Sequence, residues 1–235
     1  MFKRPRLIPK RFSSKAWRTI QRGKVKPMSS SSVNSKDLKI NTTETNVSNE
    51  ETANPVCAWA MNHPLEREYH DREWGNPVHD DTILFEFLTL EGAQAGLSWL
   101  TVLKKREGYR AAFLQYDIAA LAQLDDSAID GIIAQYDVVK HRGKIASVFS
   151  NARAALQLQQ EFGSLDSALW QFVGGEPMVN HWTQQHQVPA STEQSKAMSR
   201  FLKKRGFKFV GETICYAFMQ ATGMVNDHLV DCPCR

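Results

Sequence analysis

From Val78 to Glu176 the chain carries no proline, and this constrains its fold more than any other feature. Over that span apolar residues recur at helical spacing, as in Ile83, Leu84, Phe87 and Leu88. Acids or small polar residues stand ahead of the apolar runs, at Asp80/Asp81, Asp117, Asp125 and Ser164, where they can cap helix starts. Glycines at 92, 108, 131, 163 and 174 fall where helices are expected to stop, and Asp130-Gly131 is read as interrupting a helical pattern. The reading is an all-α body of about eight to ten ordinary helices, without internal repeats.

The charge divides the chain in two. Residues 1–55 hold 12 Lys or Arg against 4 acids. That leaves 17 basic and 21 acidic residues, a net of −4, for residues 56–235. Residues 1–27 contain ten of the bases and no acid. They fit a mitochondrial transit peptide, or a basic arm for nucleic acid or nuclear import. Residues 28–55 are rich in Ser, Thr and Asn and are expected to form a disordered linker. The body of 56–235 is long enough for one domain with a sizeable core.

No stretch approaches the roughly 18 apolar residues of a membrane span. No secretory leader is visible, and four cysteines in a chain of this length do not form a disulfide framework. An intracellular setting is expected: cytoplasm or nucleoid in a bacterium, nucleus or mitochondrion in a eukaryote. The Asn41 and Asn46 glycosylation patterns are then chance matches.

Within the helical span stands Leu90-Glu91-Gly92-Ala93-Gln94-Ala95-Gly96-Leu97-Ser98-Trp99, followed by Leu103-Lys104-Lys105-Arg106. Glutamate is among the residues least often buried without a partner. Beside an aromatic ring and two glycines, Glu91 suggests a pocket for a flat cationic ligand, with Trp99 as its π face. A helix corner with a solvated Glu91 is the alternative.

Cys57 and His70 lie near the front of the body, His228 and Cys232 at its end. The four-residue step from His228 to Cys232 points both side chains one way on a helix or tight turn. Two thiolates and two imidazoles make a closed, structural type of zinc set. Spacing alone leaves this open against free thiols and a surface histidine, with Cys234 as a competing ligand. Cys215, in an apolar run, reads as a buried thiol. His63, His79, His141, His181 and His186 show no pairing.

Lys203 through Gly211 read as a turn between two helices, bounded by Gly206 and Gly211 and carrying Phe207, Lys208 and Phe209. Amides at the following helix start, with nearby bases, suit phosphate. Lys140 through Lys144 form a second basic turn. Solvated helix ends are the alternative for both. Glu212, just after Gly211, suits the helix dipole but opposes phosphate.

As a set, Cys57-x-Trp59, Tyr69-His70-Asp71-x-Glu73-Trp74-Gly75, Leu90 through Trp99, Leu103 through Arg106, His141 through Ile145, Lys203 through Gly211 and Asn226-Asp227-His228 resemble the DNA-3-methyladenine glycosylase I family. The resemblance covers about Cys57 to Cys232. It implies a helix–hairpin–helix glycosylase fold with a structural zinc on Cys57, His70, His228 and Cys232, fastening the two ends of the domain. It implies that Glu91 recognises the base and assists its departure, with Trp59, Tyr69 and Trp99 as the aromatic pocket. Leu97 is then the wedge that fills the vacated stack, and Gly206, Phe207, Lys208 and Gly211 meet the DNA backbone.

The implied reaction is hydrolysis of the N-glycosidic bond of 3-methyladenine in alkylated double-stranded DNA by base flipping, without lyase activity. Free 3-methyladenine is the product, and a monomer is expected. Asp227, beside His228, is read as structural in preference to catalytic. The competing classes are a DNA-binding module without the pocket and a zinc-stapled scaffold.

Overall fold

The structure is a computed structural model, and it describes residues 56–235. The expectations for residues 1–55 lie outside the described residues. Ten α-helices and one two-residue strand pair appear among the described residues. The helices are α1 Pro64–Arg72, α2 Asp81–Gln94, α3 Trp99–Leu103, α4 Arg106–Ala112, α5 Ile118–Leu121, α6 Ile129–Gln135, α7 Arg142–Phe162, α8 Leu165–Trp170, α9 Glu193–Lys204 and α10 Glu212–Ala221. The strands β1 Met178–Val179 and β2 Val225–Asn226 pair in parallel, Met178 opposite Val225 and Val179 opposite Asn226.

The expected caps are in place. Asp80 accepts hydrogen bonds from Thr82 and Ile83 N–H at the start of α2. Asp117 caps α5, Ser164 caps α8, and Asp125 caps a 3₁₀ turn ahead of α6. Helix α2 is buried continuously from Leu84 to Ala93, as a central helix must be when other elements surround it. Around it pack α3, α7, α8 and α10. The Asp81 carboxylate accepts from Leu165 N–H, Asp166 N–H and Gln159, tying the start of α2 to α8.

Three of the glycines do not stop helices. Gly92, Gly108 and Gly131 lie inside α2, α4 and α6, so Asp130-Gly131 does not interrupt its helix. Two of them allow close approach instead. A Cβ on Gly92 would lie 3.2 Å from Phe209 Cβ, and one on Gly108 would lie 2.1 Å from the Asp137 carbonyl oxygen. Gly163, at φ +87°, ends α7 as expected, and Gly174, at φ +73°, follows a 3₁₀ turn.

Candidate functional site

Four segments converge on one cavity. On α1, Glu66 and Tyr69 are three apart and share a face. Glu91 and Gln94 come from the last turn of α2, Trp99 from the start of α3, and Gln220 from α10. Trp59 and Trp74 complete the aromatic wall of a cavity of about 280 Å³, close to the lower end of the roughly 300–1,000 Å³ typical of small-molecule sites. The rings interlock: Trp59 and Trp74 centroids are 5.1 Å apart, as are those of Tyr69 and Trp99. The expected pocket residues Trp59, Tyr69, Glu91 and Trp99 are thus brought together.

Glu91 is 4 % exposed, and its carboxyl makes no hydrogen bond among the described residues. Burial pushes its pKa up from 4.5 to about 8. An acceptor left dry and unpartnered is costly unless a ligand donates to it. The Tyr69 hydroxyl is also held well above its ordinary pKa, first by burial and then by the Glu91 charge. The solvated-corner reading of Glu91 is therefore excluded.

Glu66, Gln185 and Gln220 also line the cavity and were not named from sequence, while Trp74 and Gln94 stood in the quoted motifs without a pocket role. Glu66 is 8 % exposed and has no ion-pair or hydrogen-bond partner among the described residues. Its three-residue step from Tyr69 was the available signal.

Cys57, His70, His228 and Cys232 are all buried, and their ligand atoms lie within 4.8 Å of one another. His228 Nδ1 is 3.1 Å from His70 Nε2 and 3.4 Å from Cys232 Sγ. The outer imidazole nitrogens are each engaged. His228 Nε2 lies 3.0 Å from the Trp74 carbonyl oxygen, and His70 Nδ1 lies 2.8 Å from an Asp71 carboxylate oxygen. Such contacts orient the inner nitrogens toward a metal. Burial pushes the Cys57 thiol up to about 11, the opposite of what a bare thiolate needs. A cation would reverse this by binding the thiolate. Gly75, at φ +79°, passes so close that a Cβ would lie 2.9 Å from the His228 ring. The donor set fits a structural metal. Cys234 lies outside the quartet, 3.7 Å from Asp71 Oδ1.

Asp227 is 1 % exposed and accepts four hydrogen bonds, from Asn180, Trp182, Tyr216 and Gln220, at 2.6–2.7 Å. The geometry makes it a hydrogen-bonding hub between the 180–182 segment and α10.

The basic segments divide. Lys144 is 9 % exposed and donates to the Ala93 and Ala95 carbonyls, so it caps α2. Arg106 bonds Glu86 at 2.6 Å and Glu73 at 2.8 Å, holding α1, α2 and α4 together. Arg205 stacks over Phe201 at 3.6 Å and pairs with Glu161. These cations hold the fold together. Lys104, Lys140, Lys203, Lys204 and Lys208 are exposed.

Between α9 and α10, Asn151 pins the turn by bonding both N–H and C=O of Lys208. Gly206, at φ +87°, is exposed, and Gly211 stands directly ahead of α10. Phe207 is buried at 4 % and anchors the turn from within. Leu97 is 41 % exposed, on the loop between α2 and α3. A second cavity, of about 260 Å³, lies beneath it against α10 and shares Glu91, Gln94 and Ala217 with the first. Three of the five unassigned histidines engage partners through their side chains, two of them local. His63 and His141 cap α1 and α7, and His79 pairs with Asp166 at 2.8 Å.

A profile of the methyladenine glycosylase family matches residues 59–235. The DNA-3-methyladenine glycosylase 1 of Escherichia coli (strain K12) is 49 % identical over 178 residues, 76 % of this chain and 95 % of that protein. A crystal structure of a 3-methyladenine DNA glycosylase I superposes with a TM-score of 0.73 at 48 % identity, covering 77 % of this chain and 99 % of the other. The enzyme of that name from Staphylococcus aureus, studied for its recognition of 3-methyladenine, superposes with a TM-score of 0.74 at 35 % identity, covering 76 % and 95 %. With its fold, its aromatic cavity and its Cys/His quartet in view, the chain belongs to the methyladenine glycosylase family.

Proposed function

We propose that this protein excises 3-methyladenine from alkylated double-stranded DNA by hydrolysing its N-glycosidic bond. The observation that carries this is Glu91, a desolvated carboxyl without a partner in an aromatic cavity. A 3-methylated adenine in DNA is cationic and flat. Rings stack on it, and its positive charge favours the ionised form of Glu91, whose carboxylate selects it over neutral adenine. The relatives at 35–49 % identity are named 3-methyladenine DNA glycosylases, which supports this reading.

The base reaches the cavity by leaving the stack, which costs least for a weakened pair. Leu97, exposed beside the cavity mouth, fills the gap as an apolar wedge. The 206–211 turn and the start of α10 hold the backbone. The C1′–N bond then breaks with its electron pair passing to the base, which departs neutral. Water adds at C1′ and releases a proton. The positive charge makes the base a good leaving group, so little acid catalysis is required. The reaction ends at base release, leaving an abasic site in an uncut strand.

Zinc is the metal that two thiolates and two imidazoles fit best, and a four-ligand set leaves no open position for catalysis. Its role is to join the segment 57–70 to the segment 228–232.

Incubation with methylated duplex DNA tests the proposal. Release of 3-methyladenine, leaving abasic sites in uncut strands, is the expected result. Release of no base by the folded, metal-loaded protein would overturn it.

A further inference from the structure

We propose that Gln220 reads the exocyclic amino group of the everted base, with its carboxamide oriented by Asp227. This rests on the glycosylase reading above and deepens it to base discrimination. Asp227 Oδ1 accepts from Asn180 Nδ2 and Trp182 Nε1, each at 2.7 Å. Its Oδ2 accepts from the Tyr216 hydroxyl at 2.6 Å and from Gln220 Nε2 at 2.7 Å. With the donor-only Trp182 indole on Oδ1 and the Tyr216 hydroxyl on Oδ2, both oxygens act as acceptors, and Gln220 turns its nitrogen to Asp227. The network thereby fixes which end of the amide is oxygen. Gln220 lines the same cavity as Glu91, and its Oε1 has no hydrogen bond among the described residues. The cavity therefore presents two acceptors, a carboxyl and an oriented amide carbonyl.

In DNA, 3-methyladenine carries two N–H donors on one exocyclic amino group and none elsewhere on the base. Glu91 and Gln220 together match that pair. A 3-methylated base with a carbonyl at the same place sets oxygen against the Gln220 oxygen, and neither side has a proton to share. A site built to bond a donor rejects an analogue that lacks it far more strongly than a site sensing shape alone. Asp227 acts here as a positioning residue, and the β1–β2 pairing holds its partners Asn180 and Trp182 alongside it.

The test compares free 3-methyladenine with 3-methylhypoxanthine, which carries the carbonyl. Quenching of tryptophan fluorescence in the full metal-loaded chain gives each affinity. The wild type should prefer 3-methyladenine by ~100-fold or more. Gln220→Met removes the acceptor and should cut that ratio at least tenfold. Asp227→Asn keeps Oδ1 for Asn180 and Trp182 but turns an amide nitrogen toward Gln220. The Gln220 amide then flips, its NH₂ faces the cavity, and the ratio should move further toward 3-methylhypoxanthine than in Gln220→Met. Helix content and one metal per chain qualify each variant. Equal wild-type affinity for the two bases would overturn the proposal, as would an unchanged ratio in a folded variant. Binding of neither base by the wild type, with no base released from DNA, would overturn the glycosylase reading and this inference with it.

Discussion

Lys144 Nζ, in the first turn of α7, donates to the Ala95 carbonyl at 2.6 Å and to the Ala93 carbonyl at 2.9 Å. This one ammonium closes the C-terminal end of α2 through carbonyls two and four residues past Glu91, and anchors the loop that carries Leu97. Burial lowers its pKa, so the contact is made at the expense of hydration. Lys144→Met keeps most of the stem but leaves two buried carbonyls unpaired. The expected cost is about 2–3 kcal/mol of stability, with a larger loss in base release than in binding of the free base. Denaturant melts beside both assays check this. Equal losses in the two would contradict a role in placing Leu97.

The Cys/His quartet joins residues 158 positions apart, His70 and His228. Metal binding to a site that is absent from the unfolded chain adds directly to folding stability. The purified chain should carry one zinc, and a strong chelator should lower its melting temperature sharply. Cobalt substitution should give the absorption of a tetrahedral two-sulfur site. A metal-free chain with the same melting temperature would contradict the fastening role.

Asp71 holds the outer nitrogen of His70 at 2.8 Å while pairing with Arg67 at 2.6 Å. Asp71→Asn should weaken metal affinity by about 10–100-fold without changing the metal content at saturation. Competition with a chromophoric chelator measures it, and an unchanged affinity would contradict the orienting role.

Glu91 links the site to stability. Its folded pKa is raised to about 8 from 4.5, so from about pH 5 to 8 the folded protein holds a proton that the unfolded chain has released. Stability from this group therefore falls as pH rises through that window, by up to about 1.4 kcal/mol per pH unit. Glu91→Gln removes the penalty. It should melt above the wild type at pH 8 and close to it at pH 5. A difference independent of pH would contradict the desolvated carboxyl.

What the sequence disclosed follows the range of the interactions involved. Asp80, Asp117 and Ser164 were legible as caps because a cap bonds amides two or three residues away. Gly92 and Gly108 were misread as helix ends because their partners, Phe209 and Asp137, are distant in sequence. Lys144 stood in a turn read as suited to phosphate and Arg106 closed a basic run, but remote carbonyls and carboxylates engage them. The metal quartet could be named from residue types, yet only the family resemblance selected it before the structure brought its atoms together. Gln220 was passed over because nothing local to it distinguishes a cavity wall from a solvated helix face, and Glu66 because its step from Tyr69 does not by itself show that their shared face lines a cavity. Their meaning comes from Glu91 and Asp227 across the fold.

The central claim is that the Glu91 carboxyl makes this cavity a site for cationic 3-methyladenine. Single-turnover release of bases from methylated duplex DNA, resolved by chromatography, tests it most directly in wild type and Glu91→Gln. The account predicts selective 3-methyladenine release by the wild type and a loss of about 10²-fold or more in the variant, the scale of removing one preorganised electrostatic group, although the variant folds at least as stably. Equal rates in the two proteins would contradict it.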